Sequence, residues 1–199
     1  MRRKANRKIE QGETTRAQLL AIARRLFARH GYDATSIETV LREANVSRGA
    51  LYHHFAGKNA LFAAVLEAVE ADVARSIGKA VEGITDPVAA FRAGCDTWLR
   101  LARDPVVRQI ALIDAPAVVG WQQWRAIDER YAFGLLKAGL QAAAAAGRVR
   151  ADQVDILAHM LLAALAEVAL VVARAGDGSK AIREAQAAVR ELLDRLLGT

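Results

Sequence analysis

This sequence predicts an all-α protein in two parts, a three-helix N-terminal unit followed by a larger helical unit. Three observations carry that expectation. Hydrophobic residues make up 53% of the 199 residues, yet aromatics are only 6% and prolines number three. A core drawn so heavily from alanine and leucine favours helices, because sheets are richer in aromatic and β-branched residues. Apolar residues also recur at spacings of three and four between capping signals. Finally, the net charge of +6 is unevenly held: residues 1–60 carry 12 Lys/Arg against 5 Asp/Glu, and residues 61–199 carry 16 against 17. The positive excess lies in the first third, so a polyanionic partner would meet that end.

Met1–Arg7, with its cluster of Arg2, Arg3, Lys4, Arg7 and Lys8, has no apolar run behind it and is not a secretory signal. It reads as a flexible basic arm that orders near Thr14. Thr15 and Gln18 form a capping box, and Leu19, Ile22, Ala23, Leu26 and Phe27 follow as one buried stripe. Gly31 after His30 stops this first helix. Thr35-Ser36-Ile37-Glu38 starts a second with another capping box, and Asn45 ends it, being a residue that tolerates the left-handed conformation. Ser47 caps a third short helix through Leu51 and Phe55. Two short helices joined by so tight a turn are a helix-turn-helix.

After Gly57, a long amphipathic helix is expected from Lys58 into the low 80s, with Leu61, Phe62, Val65, Leu66, Val69 and Val73 inward. Asp86-Pro87 and Asp104-Pro105 both read as a cap followed by proline at the first helical position. Asp114 to Gly120, with Pro116 inside, reads as a break. A long helix is then expected from Trp121 to about Ala146, stopped by Gly147. The last two helices fall at roughly 152–175 and 179–197. The stretch Ile156–Ala173 is apolar almost all round and long enough to span a bilayer. It is nevertheless alanine-rich, holds His159 and Glu167, and lacks an aromatic belt. A helix buried between its own domain and a second subunit fits better, and no membrane association is expected.

The chemistry concentrates at Ser47-Arg-Gly-Ala-Leu-Tyr-His-His-Phe55. Ala50, Leu51 and Phe55 give this helix an inward side, leaving Ser47, Arg48, Tyr52 and His53 on the rest of its surface. Arginine makes bidentate bonds to guanine, and tyrosine offers an apolar ring with a donor, so such a surface suits a DNA major groove. Gly49 lets the backbone approach the duplex closely. Lys58 opens the next helix, where backbone N–H groups and an ammonium together suit a phosphate.

Residues 14–62 resemble the DNA-binding domain of the TetR (tetracycline-repressor-like) family of bacterial regulators. The matching features are Phe27-Ala-Arg-His-Gly-Tyr32, Ala34-Thr-Ser-Ile37, Asn45-Val-Ser47, and Gly49-Ala-Leu-Tyr-His-His-Phe55 followed by Lys58 and Leu61. Asp114-Ala-Pro-Ala-Val-Val-Gly-Trp121 resembles some members more loosely. The resemblance implies an N-terminal three-helix helix-turn-helix DNA-binding domain over residues 1–57. Residues 58–199 would form a larger C-terminal helical domain for effector binding and dimerisation. It implies DNA contacts at Arg48, Gly49, Tyr52, His53 and Lys58, with a phosphate contact from Thr35 or Ser36. His53 stands where members commonly place an aromatic residue, and His54 suits a structural hydrogen bond as well as a DNA contact.

In the second part, Phe91, Cys95, Trp98, Trp121, Trp124, Asp128, Tyr131 and His159 are candidates for an effector pocket, against the plainer reading that each packs a core. Asp128, His159 and Glu167 are the polar groups expected to face inward. Adjacent His53 and His54 point about 100° apart on a helix and chelate poorly; no metal or cofactor is expected. No phosphate loop, His-Glu-x-x-His or nucleophile motif argues for catalysis. A single cysteine excludes an intrachain disulfide and suits a reducing, cytoplasmic setting. The function expected is a ligand-responsive regulator, a repressor by family habit, binding a palindromic double-stranded DNA operator as a homodimer through the last two helices. Its rivals are a DNA-binding regulator governed by a protein partner, with no small-molecule effector, and a helical enzyme or carrier with an incidentally basic end. A cavity among the helices of residues 86–146 separates the first two.

Overall fold

In the computed structural model, residues 2–198 are described, with side-chain surroundings from Gly12 onward. The basic side chains of Arg2 to Lys8 lie outside that description. Among the described residues, ten α-helices follow one another: α1 (Arg2–Ala34), α2 (Ile37–Ala44), α3 (Arg48–His54), α4 (Lys58–Val81), α5 (Pro87–Leu101), α6 (Ala115–Val118), α7 (Trp121–Asp128), α8 (Gly134–Ala145), α9 (Val154–Arg174) and α10 (Gly178–Leu197). Wider π-helical turns at Val107–Asp114 and Glu129–Phe133 lead into α6 and α8. No strand occurs among the described residues.

The helical backbone of α1 begins at Arg2, well before the expected start near Thr14. The arm is rich in Arg, Lys, Ala, Gln and Glu, all strong helix formers, with no proline to stop them. The Thr15–Gln18 capping box therefore has no helix start to serve. Gln18 instead crosses to α2, where its Nε2 donates to the carbonyl of Ala44 at 2.8 Å and satisfies one end of that helix. At the other end of α1 the glycine stop is real: Gly31 has φ 78°, a conformation that interrupts the helix and favours glycine.

Ser36, not Thr35, is the N-cap of α2, accepting from the Thr39 N–H at 3.0 Å. This puts Thr39 rather than Glu38 at the position a capping box needs. Asn45 ends the helix at φ 51°, and Ser47 caps α3 by accepting from the Ala50 N–H. Leu19, Ala23, Leu26 and Phe27 of α1 meet Val40, Ala44, Leu51 and the apolar face of α4 in one buried cluster. Phe27 and Phe62 pack edge to face at 5.2 Å, with Tyr32 against both.

That cluster continues past α4 into residues 107–127 and the end of α9. Tyr32 N–H donates to Asp114 Oδ2 at 2.8 Å, while Gln109 Nε2 donates to its other oxygen at 3.0 Å. A Cβ on Gly31 would come within 3.3 Å of the same Gln109, so the turn after α1 is fitted to this segment. Asp72 of α4 binds Arg24 of α1 as well.

The break expected at Asp114–Gly120 is later and milder: the chain stays helical to Val118 and turns at Gly120, φ 82°. Pro116 is accommodated by the π register. In that register its missing N–H would have served the carbonyl of Ala111, and the indole Nε1 of Trp124 donates to that carbonyl instead, at 2.9 Å. Residues 121–145 form one continuous helical run, as expected, but with the π turns inside.

A second cluster joins α5, α8, α9 and α10 through Phe91, Leu99, Leu140, Leu161 and Leu193. The helix α9 is long and apolar enough to cross a membrane by composition, with mean hydropathy 2.3 over its most apolar window. Half of it is buried against the rest of the chain. Ile156, Met160 and Val171 on its other side are exposed, as is Leu192 of α10.

Candidate nucleic-acid interface and helical cavity

The residues singled out on α3 share one outward surface. Ser47, Arg48, Gly49, Tyr52 and His53 are exposed, while Leu51 and Phe55 anchor the helix on the core. No atom lies within 4 Å of a Cβ placed on Gly49, so the surface there is open. Arg48 is paired with Glu38 of α2, which holds its guanidinium beside the turn. The rings of His53 and His54 stand at 5.1 Å, inclined at 67° to one another.

Lys58 begins α4 with its ammonium 3.9 Å from the Tyr32 ring centroid, a cation–π contact, and 3.5 Å from the carbonyl of Asp33. Ser36 is exposed nearby. Thr35 is not available for a phosphate: it is 2% exposed and its hydroxyl donates to the carbonyl of Gly31 at 2.8 Å. As the residue just before the N-cap, it is turned inward to close the turn after α1.

The second candidate site is a cavity of about 240 Å³ between α4, α5, the 121–145 run and α9. Phe91, Cys95, Trp98, Asp128 and Tyr131 line it. The Trp98 indole is oriented by donating to the carbonyl of Leu165 at 3.2 Å. Phe91 lies so close to α8 that a Cβ on Gly139 would fall 2.3 Å from its ring. Trp121, Trp124 and His159 are not on this cavity. Trp121 is 61% exposed at the start of α7, resting on Trp124. Trp124 is spent on the Ala111 carbonyl. His159 is on the outer face of α9, stacked on Phe133 at 4.4 Å. Glu167, expected inward, is exposed on that same face.

One lining residue escaped the sequence reading. Glu70 of α4 is 4% exposed and faces the cavity. Burial, and then the neighbouring Asp128 carboxylate, push its pKa up to about 8. Burial also lifts Asp128, to about 6, against the pull of Arg125. Burial drives the Cys95 thiol up to about 12, which makes it an unreactive wall residue. A signal for Glu70 was present: it stands four residues after Leu66 and three before Val73, within the apolar stripe. Asp114, at the seam between the two parts, is likewise held above the usual carboxylate range by burial, which outweighs its bonds from Tyr32 and Gln109.

Residues 19–65 match the profile of bacterial regulatory proteins of the tetR family. Residues 88–196, more than half of the chain, match the tetracyclin repressor-like C-terminal domain. The chain belongs to the TetR family. A TetR-family transcriptional regulator from Pectobacterium atrosepticum is 32% identical, with a TM-score of 0.84 over 96% of this chain and 97% of the other. The Tn10 TetC protein of Escherichia coli is 26% identical over 156 residues, 78% of this chain and 79% of its own. RolR in complex with resorcinol shares the fold at 20% identity, with a TM-score of 0.73 over 96% of this chain and 91% of that one. As a TetR-family transcriptional regulator, the protein is a DNA-binding protein, and α2 and α3 form its helix-turn-helix.

Proposed function

We propose that this TetR-family protein is a cytoplasmic, ligand-responsive repressor that binds a palindromic operator as a homodimer and releases it when a small molecule fills the α4–α5–α9 cavity. The observation that carries the reading is that cavity. A concave site lined mostly by apolar side chains with a few polar groups is the usual form of a small-molecule pocket. Its wall includes α4, the helix that begins at the DNA-binding surface with Lys58, so an occupant acts on the element that joins the two parts. Here the regulator without a small-molecule effector is the weaker reading, because it leaves the cavity without a use.

Residues 1–57 serve as the DNA-binding domain and residues 58–199 as the effector and dimerisation domain. Tyr52, Arg48 and His53 read base edges, Gly49 admits close approach, and Ser36, Ser47 and Lys58 meet phosphates. One α3 offers too little contact for specificity, so two copies act at successive major-groove faces, about 34–36 Å apart or a multiple of it. The exposed Ile156, Met160 and Val171 of α9, with Leu192 of α10, supply an apolar surface for the two-fold contact. An effector weakens DNA binding only through its preference for the non-binding state; a ~100-fold loss needs about 2.7 kcal/mol of that preference.

Genomic footprinting of the purified protein defines the operator, and Tyr52→Ala then tests the assignment. With its fold verified by circular dichroism, the variant is expected to lose at least ~10-fold in preference for operator over random DNA, on the order of 1–3 kcal/mol per base-reading side chain. Undiminished selectivity would remove α3 as the reading helix.

A further inference from the structure

The cavity has an unusual polar inventory. Its wall contains no Lys, Arg or His, and two carboxyl groups, Glu70 and Asp128, face it from neighbouring elements. Glu70 makes no hydrogen bond or ion pair among the described residues, although it is almost wholly buried. Its oxygens open onto the cavity rather than into packed core, so a group that enters the cavity can reach them. Asp128 has only a long contact, 3.4 Å, from Arg125 Nη1. Three aromatic rings, those of Phe91, Trp98 and Tyr131, complete the wall.

We propose that the cavity takes a small organic cation, an apolar amine in its protonated form, with the ammonium set against Glu70 and Asp128 and the apolar body among the three rings. This rests on the ligand-responsive reading above and names the chemical class of the effector. A carboxylate or phosphate ligand is disfavoured, since it would set a second negative group beside Asp128 in a wall without Lys, Arg or His, the nearby Arg125 being already engaged by Asp128 and Glu129. A neutral alcohol can donate to one acid and accept from the other in its protonated form, but it brings no charge to offset either. An ammonium satisfies both, and in a low-dielectric pocket such charge-assisted bonds are the strong ones. Aromatic faces add attraction for a cation that they do not offer an alcohol. The volume restricts the ligand to the small end of drug-like size.

Proton bookkeeping separates the classes. The titratable groups on the wall are Glu70 from α4, Cys95 from α5, and Asp128 and Tyr131 from the 121–133 segment; α8 and α9 contribute none. With the pKa of Glu70 raised to about 8, the empty site holds its proton at pH 7. A cation makes the ionised form the better partner, so the carboxyl gives its proton to solvent as the ammonium enters. Binding then releases up to about one proton at pH 7, and affinity rises at least ~10-fold from pH 6 to pH 8.

The experiment is isothermal titration calorimetry of the full-length protein with 2-phenylethylamine, 2-phenylethanol and phenylacetate, which share one body and differ in the head group. Titrations in two buffers of different ionisation enthalpy count the protons. The amine is expected to bind at least ~10-fold tighter than the alcohol at pH 8, with proton release at pH 7, and phenylacetate weakest of the three. Glu70→Gln is expected to remove most of the amine's advantage and its proton release while alcohol binding persists, which also shows that the cavity is intact. Equal or tighter binding of the alcohol or the acid, no binding by any of the three, or an unchanged amine affinity in Glu70→Gln would overturn the proposal. Operator binding measured on the same samples keeps the two readings apart. Amine binding with no effect on DNA leaves the ligand class standing and removes its role as effector. Release of DNA by the alcohol alone does the reverse.

Discussion

The apolar cluster around α1–α4 and the layer between α4, α5 and α9 are made from similar residues and filled differently. In the first, Phe27, Leu51, Leu61, Phe62 and Leu66 are fully buried, and the aromatic rings interlock at 5.2 Å. In the second, Phe91, Trp98 and Tyr131 surround about 240 Å³ of space, and two acids share its wall. A surface that must present α3 in one orientation needs a core with no alternative packing. On the proposed function, the second layer responds to an occupant, and for that it needs room and a reason for the occupant to enter. The helix α4 belongs to both, one end packed into the first cluster and the other lining the void.

Three substitutions press on this difference, in descending order of effect. Phe62→Ala removes the ring at the centre of the packed cluster and is expected to cost about 3–5 kcal/mol, seen as a lower denaturation midpoint and loss of operator binding. A loss below about 1 kcal/mol would mean that this cluster is as loose as the other. Glu70→Leu acts on the hollow side and is expected to stabilise, with a dependence on pH. The folded chain keeps the Glu70 proton up to about pH 8, whereas the unfolded chain gives it up near the ordinary value of 4.5. Wild-type stability therefore falls as pH rises through that window, and the variant escapes the fall. The gain should be small at pH 4 and reach the order of 2–4 kcal/mol at pH 8. A pH-independent difference in urea midpoints would contradict a buried, neutral Glu70. Gly139→Ala tests the rim, where the new methyl meets the Phe91 ring. A cost of about 1–3 kcal/mol is expected, with ligand affinity reduced as the ring is displaced; full tolerance would show that Phe91 has free space on its other side.

Much of this architecture is legible in the sequence because its elements are locally specified. The stripe of α4 and the caps at Ser47 and Asp86 require only short-range rules, and each is observed. So does the left-handed stop at Asn45. The errors arise where a distant partner decides. Pro116 signals a break, but a π turn and the Trp124 indole absorb it. Trp121 and His159 look like pocket residues by type, and only the packing of α7 and α9 shows that they face outward. Thr35 sits in a helix-start motif, yet its hydroxyl is claimed by Gly31. Glu70 was hidden for the opposite reason: its spacing placed it on the apolar stripe, but an acid there reads as solvated until the cavity is seen.

The bond from the Tyr32 N–H to Asp114 bears on how such regulators are recombined. Exchanging DNA-binding domains between family members invites a cut near residue 57, where the chain passes into α4. That cut follows the covalent chain but not the contacts. A transplanted N-terminal unit still needs an acceptor for Tyr32 N–H and a side chain shaped like Gln109 over Gly31. A chimera should therefore carry residues 107–114 along with the first 57, as the second half of a split module.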